Sequence, residues 1–245
     1  MTDTSPYRSA AALDVRPAAR RALTRLADHV RLTAQRHGLG CALRDVAVRA
    51  VNRLAVCRIL KVLVITTPDP AYTVTDSRYR CGFLERAELA TFSGAPEYEL
   101  PGAAVDQALE CGDACFGIVD GGVLASYGWY SSVPDQILPG VELHFDPRYV
   151  YMHKGFTHPR YRGQRLHAIG MTLALQAYRA KGCEGLVSYV ESTNVDSLKS
   201  VYRMGYRDCG TLYVAGVRGR YLLHGSASAR AWGFHLEKTP AARTP

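Results

Sequence analysis

Between Gly155 and Gly170 the chain reads GFTHPRYRGQRLHAIG. Arg160, Arg162 and Arg165 crowd around Gly163 just before an apolar, helix-periodic run. A surface turn needs the Pro and the Gly, but not guanidinium groups that repel one another, so the grouping points to an anion. The first N–H groups of a helix have no intrahelical acceptor and lie at the positive end of its dipole. Gly163 lets the backbone approach closely, and the arginines add charge-assisted hydrogen bonds. A pyrophosphate suits this arrangement; a solvated turn is the alternative that the loop by itself leaves open. The pattern is neither G-x-x-x-x-G-K-[ST] nor G-x-G-x-x-G.

The elements that would hold this loop can be read around it. RYVYMHKGFT, ending at Thr157, has the texture of a strand, and the amphipathic run from Leu166 to Lys181 predicts a helix with Leu166, Ile169, Leu173 and Ala177 on one face and Gly182 as its stop. GLVSYVEST predicts the next strand, and NVDSLKSVYRMGY a short helix closed by Gly205. Upstream, ACFGIVDGGVLASYGWYSS is a hairpin turning at DGG, SRYRCGFLERAEL a strand running into a helix, and AVDQALECG a short helix. CGTLYVAGV and RYLLHGS predict a last pair of strands. Near the start, residues 1–14 read as poorly ordered, Pro17–Arg36 as a helix with Leu23, Leu26 and Val30 on one stripe, and Cys41–Arg58 as a second helix with Leu43, Val46, Ala47, Ala50, Leu54 and Cys57 on its stripe. LKVLVITT is then a strand, broken by PDPAY. The chain has no internal repeat.

Composition narrows the classes. The 245 residues, 47% apolar and 21% charged, suit an ordinary soluble protein with one good core and an extension. The longest apolar stretch, VLVIT, is strand-sized, far short of the roughly 20 residues that span a bilayer. The first residues carry acids and no apolar signal core, so a cytoplasmic protein is expected. Seven scattered cysteines form no C-x-x-C pair, and Cys111 and Cys115 have no nearby His pair to complete a zinc site. Reduced thiols and no metal are therefore expected. Residues 1–66 carry 12 Lys and Arg against 4 Asp and Glu, whereas the rest of the chain carries 18 of each. The net charge of +8 thus belongs to the N-terminal segment.

With its elements in this order, the chain resembles the GCN5-related N-acetyltransferase (GNAT) superfamily. FTHPRYRGQRL is similar to that family's acyl-CoA loop at Phe156, Pro159, Tyr161, Arg162, Gly163 and Leu166. The family's Q/R-x-x-G-x-G/A pattern starts on Arg160 and meets Gly163, but its last position is Arg165, which either alters the approach of the pyrophosphate or adds a phosphate contact. Asn194, Ser197, Tyr202, Gly205 and Tyr206 are similar to a second family motif. The resemblance covers roughly residues 76–222. It implies an α/β (α+β) fold with a mixed, mainly antiparallel sheet flanked by helices. The expected division is a basic helical extension over residues 1–75 and a transferase domain over 76–245.

The resemblance also implies N-acetyl transfer from acetyl-CoA to a primary amine by direct attack in a ternary complex, with no enzyme nucleophile. Phe156, Thr157, Arg160, Arg162, Gly163, Gln164, Arg165, Leu166, Asn194 and Ser197 would hold the acyl-CoA, with N–H groups near Phe156 and Thr157 on the thioester carbonyl. Asn194 and Ser197 read equally well as a helix cap. Four residues before Thr157 stands His153, an imidazole able to take a proton near neutral pH and sharing a strand face with Tyr151 and Gly155. Glu191 is the reserve base, with Glu142 and His144 behind it. Tyr202, a phenol protonated at neutral pH, would return a proton to the leaving thiolate.

The acceptor would meet Trp129, Tyr130, Glu142, His144 and Tyr151, an aromatic wall with acids that suits a cationic amine. A homodimer is left open. The basic segment reads first as helices packed on the transferase domain. Peripheral membrane contact through residues 15–60 is a lesser alternative, and nucleic-acid binding is disfavoured because no aromatics interleave the arginines. A catalytically inactive CoA-binding regulatory module, or a basic membrane or nucleic-acid adaptor on the same fold, is the alternative to an enzyme.

Overall fold

The computed structural model describes residues 27, 28, 30–52, 55–73, 76–217 and 219–239. The expectations for residues 1–14, for the first part of the helix from Pro17, and for Leu23, Leu26 and Leu54 lie outside these residues. The chain divides into two compact units, residues 1–51 and residues 52–245.

In the first unit, residues 30–37 are helical and Gly38, at φ +87°, separates them from α1 (Leu39–Val51). Of the expected stripe, Leu43, Ala47 and Ala50 are exposed and Val46 is half-buried, whereas Ala42, outside it, is buried. The expected helix from Cys41 to Arg58 ends at Val51. Cys57 and Arg58 are extended, because VCRILKVLVI forms β1 (Val56–Ile65).

The second unit is built on an eight-stranded sheet with the order β10-β9-β1-β8-β7-β4-β3-β2. The strands are β2 (Tyr79–Phe83), β3 (Ala114–Asp120), β4 (Val123–Ser131), β7 (Tyr149–Thr157), β8 (Gly185–Glu191), β9 (Arg207–Val217) and β10 (Arg220–Gly225), together with β1. Neighbours are antiparallel except β7 and β8, which are parallel. A smaller sheet, order β11-β6-β5, holds β5 (Asp135–Leu138), β6 (Val141–His144) and β11 (His235–Lys238). This is the mixed, mainly antiparallel α/β architecture expected. The boundary is not: β1 lies inside the large sheet between β9 and β8, so residues 52–75 go with the second unit and not with a helical extension ending at residue 75. Pairing on both edges, with Leu60, Val62 and Leu63 fully buried, outweighs the local helical pattern around Cys57.

The sheet is covered on both faces. On one, α4 (Leu166–Ala180) sets Met171, Ala174, Leu175 and Tyr178 against Phe116, Tyr130, Val150, Met152 and Leu186. Val201 of α5 (Val195–Arg203) packs on the same cluster. On the other face, Leu89 and Phe92 of α2 (Arg86–Phe92) and Val105 of α3 (Gly102–Glu110) pack against Tyr127, Trp129 and Phe156. Leu143 of β6 and Phe234, just after α6 (Ala227–Ala231), pack there against Tyr149, Tyr151 and Val187. The alternation along β7, Tyr149 and Tyr151 one way and Val150 and Met152 the other, is the period-2 geometry of a strand buried on both faces. Among the described residues no helix is long and apolar enough to cross a membrane.

Candidate functional site

β7 and β8 pair only from Tyr149–Gly185 to Tyr151–Val187. Beyond that, β7 stays with β4 as far as Thr157, and β8 stays with β1 as far as Glu191. The two strands therefore part. A bulge accompanies the parting: Met152 pairs with Tyr130 and Lys154 with Trp129, which leaves His153 as an extra residue and bends β7. The hydroxyl of Ser188 donates to the Met152 carbonyl at 2.9 Å, close to the last paired residues. A cavity of about 330 Å³ opens there. β7 lines it from Met152 to Gly155 and β8 from Ser188 to Glu191; His167, Asn194, Ser197 and Val201 complete it.

The arginine loop joins β7 to α4. His158 Nδ1 accepts from Arg160 N at 3.3 Å, and Tyr161 donates to Asp120 Oδ2 at 3.0 Å. Arg162 Nε donates to the Thr157 carbonyl at 3.4 Å. Gln164 Oε1 accepts from the Tyr79 hydroxyl at 2.7 Å and from Arg78 at 3.1 Å. Arg160, Arg162, Gly163, Gln164 and Arg165 are all exposed, whereas Leu166 is buried with Ile118, Ala125 and Tyr161. Gly163 sits at φ +82° and Arg165, which precedes the first helical residue, at φ +60° with no side-chain cap. Among the described residues, the N–H groups of residues 163–168 have no hydrogen-bond acceptor. A loop presenting several free donors and three arginines has the donor chemistry for a pyrophosphate.

Polar groups gather at the fork. His153 Nε2 lies 3.0 Å from Asp113 Oδ2, and both side chains are largely buried. The Tyr151 phenol interacts with the Asp135 carboxyl and the Tyr189 phenol. Burial pushes the Asp135 carboxyl above the usual carboxylate range and holds the Tyr151 phenol well above its own, so Tyr151 stays protonated. Glu191 Oε1 sits 3.5 Å from Arg58 Nε. Lys154 donates to the Glu99 carbonyl at 2.7 Å. His167, at the start of α4, lies against Gly155, and burial lowers its basicity.

Of the residues singled out in the sequence, His153, Glu191, Asn194 and Ser197 line the cavity, and Tyr151 stands beside it. Asn194 is at the same time the N-cap of α5, its Oδ1 accepting from Ser197 N at 3.1 Å. Phe156 turns its ring into the core, stacked on Tyr127 at 5.2 Å, so only its backbone can serve a ligand. Trp129 is buried, 6.4 Å from His153 ring to ring.

Three expectations need correction. Tyr202 does not line the cavity: it is 44% exposed and hydrogen-bonds Asp208. A helix turns about 100° per residue, and here it is Val201 that faces the cavity. Tyr130 is a core residue on the α4 face, 5.6 Å from Tyr178, and cannot wall an acceptor site. Glu142 and His144 belong to the small sheet. Val141 and Leu143 point inward, so Glu142 and His144 take the opposite face with their cross-strand partners Glu237 and His235.

Asp113, Asp135, His167, Ser188 and Tyr189 were not picked out from the sequence. His167 stands within the quoted loop stretch, and its place in the first turn after Gly163 was the available signal. Asp113 and Asp135 carry no local signal, because only the sheet brings them to His153 and Tyr151. Among the described residues no group of His, Cys, Asp or Glu is arranged to hold a metal ion, and all seven cysteines are free thiols.

The family model described as acetyltransferase (GNAT) family matches residues 77–206. Solved structures resemble the chain at low identity. A GNAT-family protein of Novosphingobium aromaticivorans is 15% identical, with 75% of this chain and 66% of that one covered and a TM-score of 0.45. A Drosophila protein is also 15% identical, with 73% and 58% covered and a TM-score of 0.46. An aminoglycoside N-acetyltransferase in complex with CoA is 18% identical, with 55% and 91% covered and a TM-score of 0.44. The chain spans just under two thirds of the first of these structures and less of the second. No curated protein sequence matches the chain.

Proposed function

Because the chain belongs to the acetyltransferase (GNAT) family, and so is an acyltransferase, we propose that it moves an acetyl group from acetyl-CoA to a primary amine by direct attack in a ternary complex. The observation that carries this reading is the fork between β7 and β8. It opens a cavity next to the uncapped start of α4. One long substrate, anionic at one end and reactive at the other, suits a donor-rich loop joined to a narrow cleft.

In this reading the loop N–H groups of residues 163–168 and Arg160, Arg162 and Arg165 hold the pyrophosphate. Past Val187 the β8-side edge of β7 has no strand partner, so its N–H groups are free to polarise a thioester carbonyl. His153 is the base, and Asp113 positions its imidazole. The bound ammonium first loses a proton to solvent; the neutral amine nitrogen then bonds to the carbonyl carbon and gives up a second proton to His153. The C–S bond then breaks, and the thiolate takes a proton from solvent. Two carboxylates, Asp113 and Asp135, beside Tyr151 and Trp129 favour an acceptor that is cationic when free.

Isothermal titration with acetyl-CoA and with desulfo-CoA tests the reading, followed by CoA release with a panel of amines. Micromolar binding, weakened by Arg162→Ala and by Gly163→Glu, is expected. No binding of any acyl-CoA overturns the proposal. Binding without CoA release from any amine reduces the protein to a CoA-binding module.

A further inference from the structure

His167 stands where α4 meets the fork. It lines the cavity, and its ring lies so close to β7 that a Cβ on Gly155 would meet its Cε1 at 2.2 Å and both ring nitrogens at 3.0 Å. Only glycine at residue 155 admits the imidazole there. Neither ring nitrogen hydrogen-bonds another described residue. The ring is only half-buried in the open cleft, so water reaches its nitrogens while the site is empty, and a ligand that displaces this water must supply the hydrogen-bond partner. Around it are Gly155, with no side chain, and the β7 and β8 segments whose mutual pairing has ended. An extended chain threading this cleft would offer amide N–H and C=O groups at the height of the ring.

Resting on the reading of the fork as an acyl-CoA site, we infer that His167 is a binding residue that hydrogen-bonds the amide-containing pantetheine arm of the donor, across the gap that Gly155 leaves in β7. The neutral imidazole has one donor and one acceptor nitrogen and so can pair with either half of an amide. Burial, which lowers the basicity of His167, favours that neutral form. The role differs from that of the arginine loop: His167 reads the arm, and the loop reads the phosphates.

The two halves of the donor separate these roles. CoA carries both the arm and the phosphates, whereas 3′-phosphoadenosine 5′-diphosphate carries the phosphates without the arm. Binding of each is measured by isothermal titration for the wild-type protein, His167→Phe, His167→Asn and Arg162→Ala, with circular dichroism as the check on folding. His167→Phe keeps a ring and removes both nitrogens. It should weaken CoA about fivefold to tenfold, the value of one hydrogen bond, and leave the nucleotide unchanged. His167→Asn, which keeps a donor and an acceptor in a smaller side chain, should lose less. Arg162→Ala should weaken both ligands. Equal weakening of CoA and nucleotide by His167→Phe, or no change in either, overturns the inference while the fork remains an acyl-CoA site. Failure of the wild-type protein to bind CoA overturns both.

Discussion

His153 Nε2 and Asp113 Oδ2 are 3.0 Å apart, although one residue lies midway along a strand and the other just before a different strand, at positions far apart in the chain. Asp113 ends the turn before β3, and His153 is the bulged residue of β7, two strands away. The pair leaves Nδ1 as the ring nitrogen not engaged by Asp113. If His153 takes the amine proton, His153→Ala should lower kcat about 100-fold, within the range for a general base. Asp113→Asn should cost less, because it loosens the ring without removing it. Steady-state kinetics beside melting curves check this; a fall in Tm that accounts for the lost activity would assign both residues a structural role.

Tyr202 offers the opposite expectation. Its hydroxyl is engaged with Asp208, itself 3.1 Å from Lys61, at an exposed position off the cavity. Tyr202→Phe should leave kcat within about twofold, because a surface hydrogen bond contributes only about 1 kcal/mol and only to stability. A tenfold loss of kcat with unchanged Tm would return Tyr202 to the reacting centre.

Asp135 should make stability depend on pH. Its carboxyl is raised in the folded state, chiefly by burial, with Asp113 acting in the same direction and His153 against it. The folded state then holds its proton to a higher pH than the unfolded chain does. Stability contributed by the protonated form is lost as pH rises from the ordinary carboxylate range through the raised value. Asp135→Asn should therefore raise Tm at pH 7 and lose that advantage at about pH 3, below the unfolded pKa. Melting curves of both proteins across this window give the answer, and parallel curves would mean that Asp135 ionises freely.

Arg165 occupies the left-handed region at φ +60°, where a side chain costs about 1–2 kcal/mol and glycine little. Glycine gives part of this back as unfolded-state entropy. Arg165→Gly should thus raise stability by about 0.5–1 kcal/mol, or about 1–4 °C in Tm. A lower Tm would show that the Arg165 side chain contributes contacts worth more than the strain.

Much of the architecture is legible in the chain because its signals are local. The hairpin from Ala114 to Ser131, the strand into Thr157, the helix from Leu166 and the cap at Asn194 each follow from alternation, helical spacing or a capping side chain within one short stretch. The arginine loop is legible for the same reason, since its residues lie in a single run. Where two local signals competed, as at Cys57 and Arg58, pairing with β9 prevailed over helical spacing.

What a stretch of sequence cannot carry is which residue faces which across the sheet. Val201 and Tyr202 differ by one step along a helix, and only the seating of α5 on the core puts the first at the cavity and the second toward solvent. Glu142 and His144 look like acceptor contacts until the inward packing of Val141 and Leu143 turns them outward. Asp113 and Asp135 carry no pattern of their own, and the place of His167 in the loop stretch does not say what its ring meets. They become partners of His153, Tyr151 and Gly155 through the strand order and the bulge in β7, which are properties of long-range pairing. By itself the sequence determined most of the elements and the arginine-rich loop between β7 and α4, because local backbone geometry follows from neighbouring residues. The tertiary structure decided which side chains meet at the fork, because their partners come from strands that meet only after the sheet has formed.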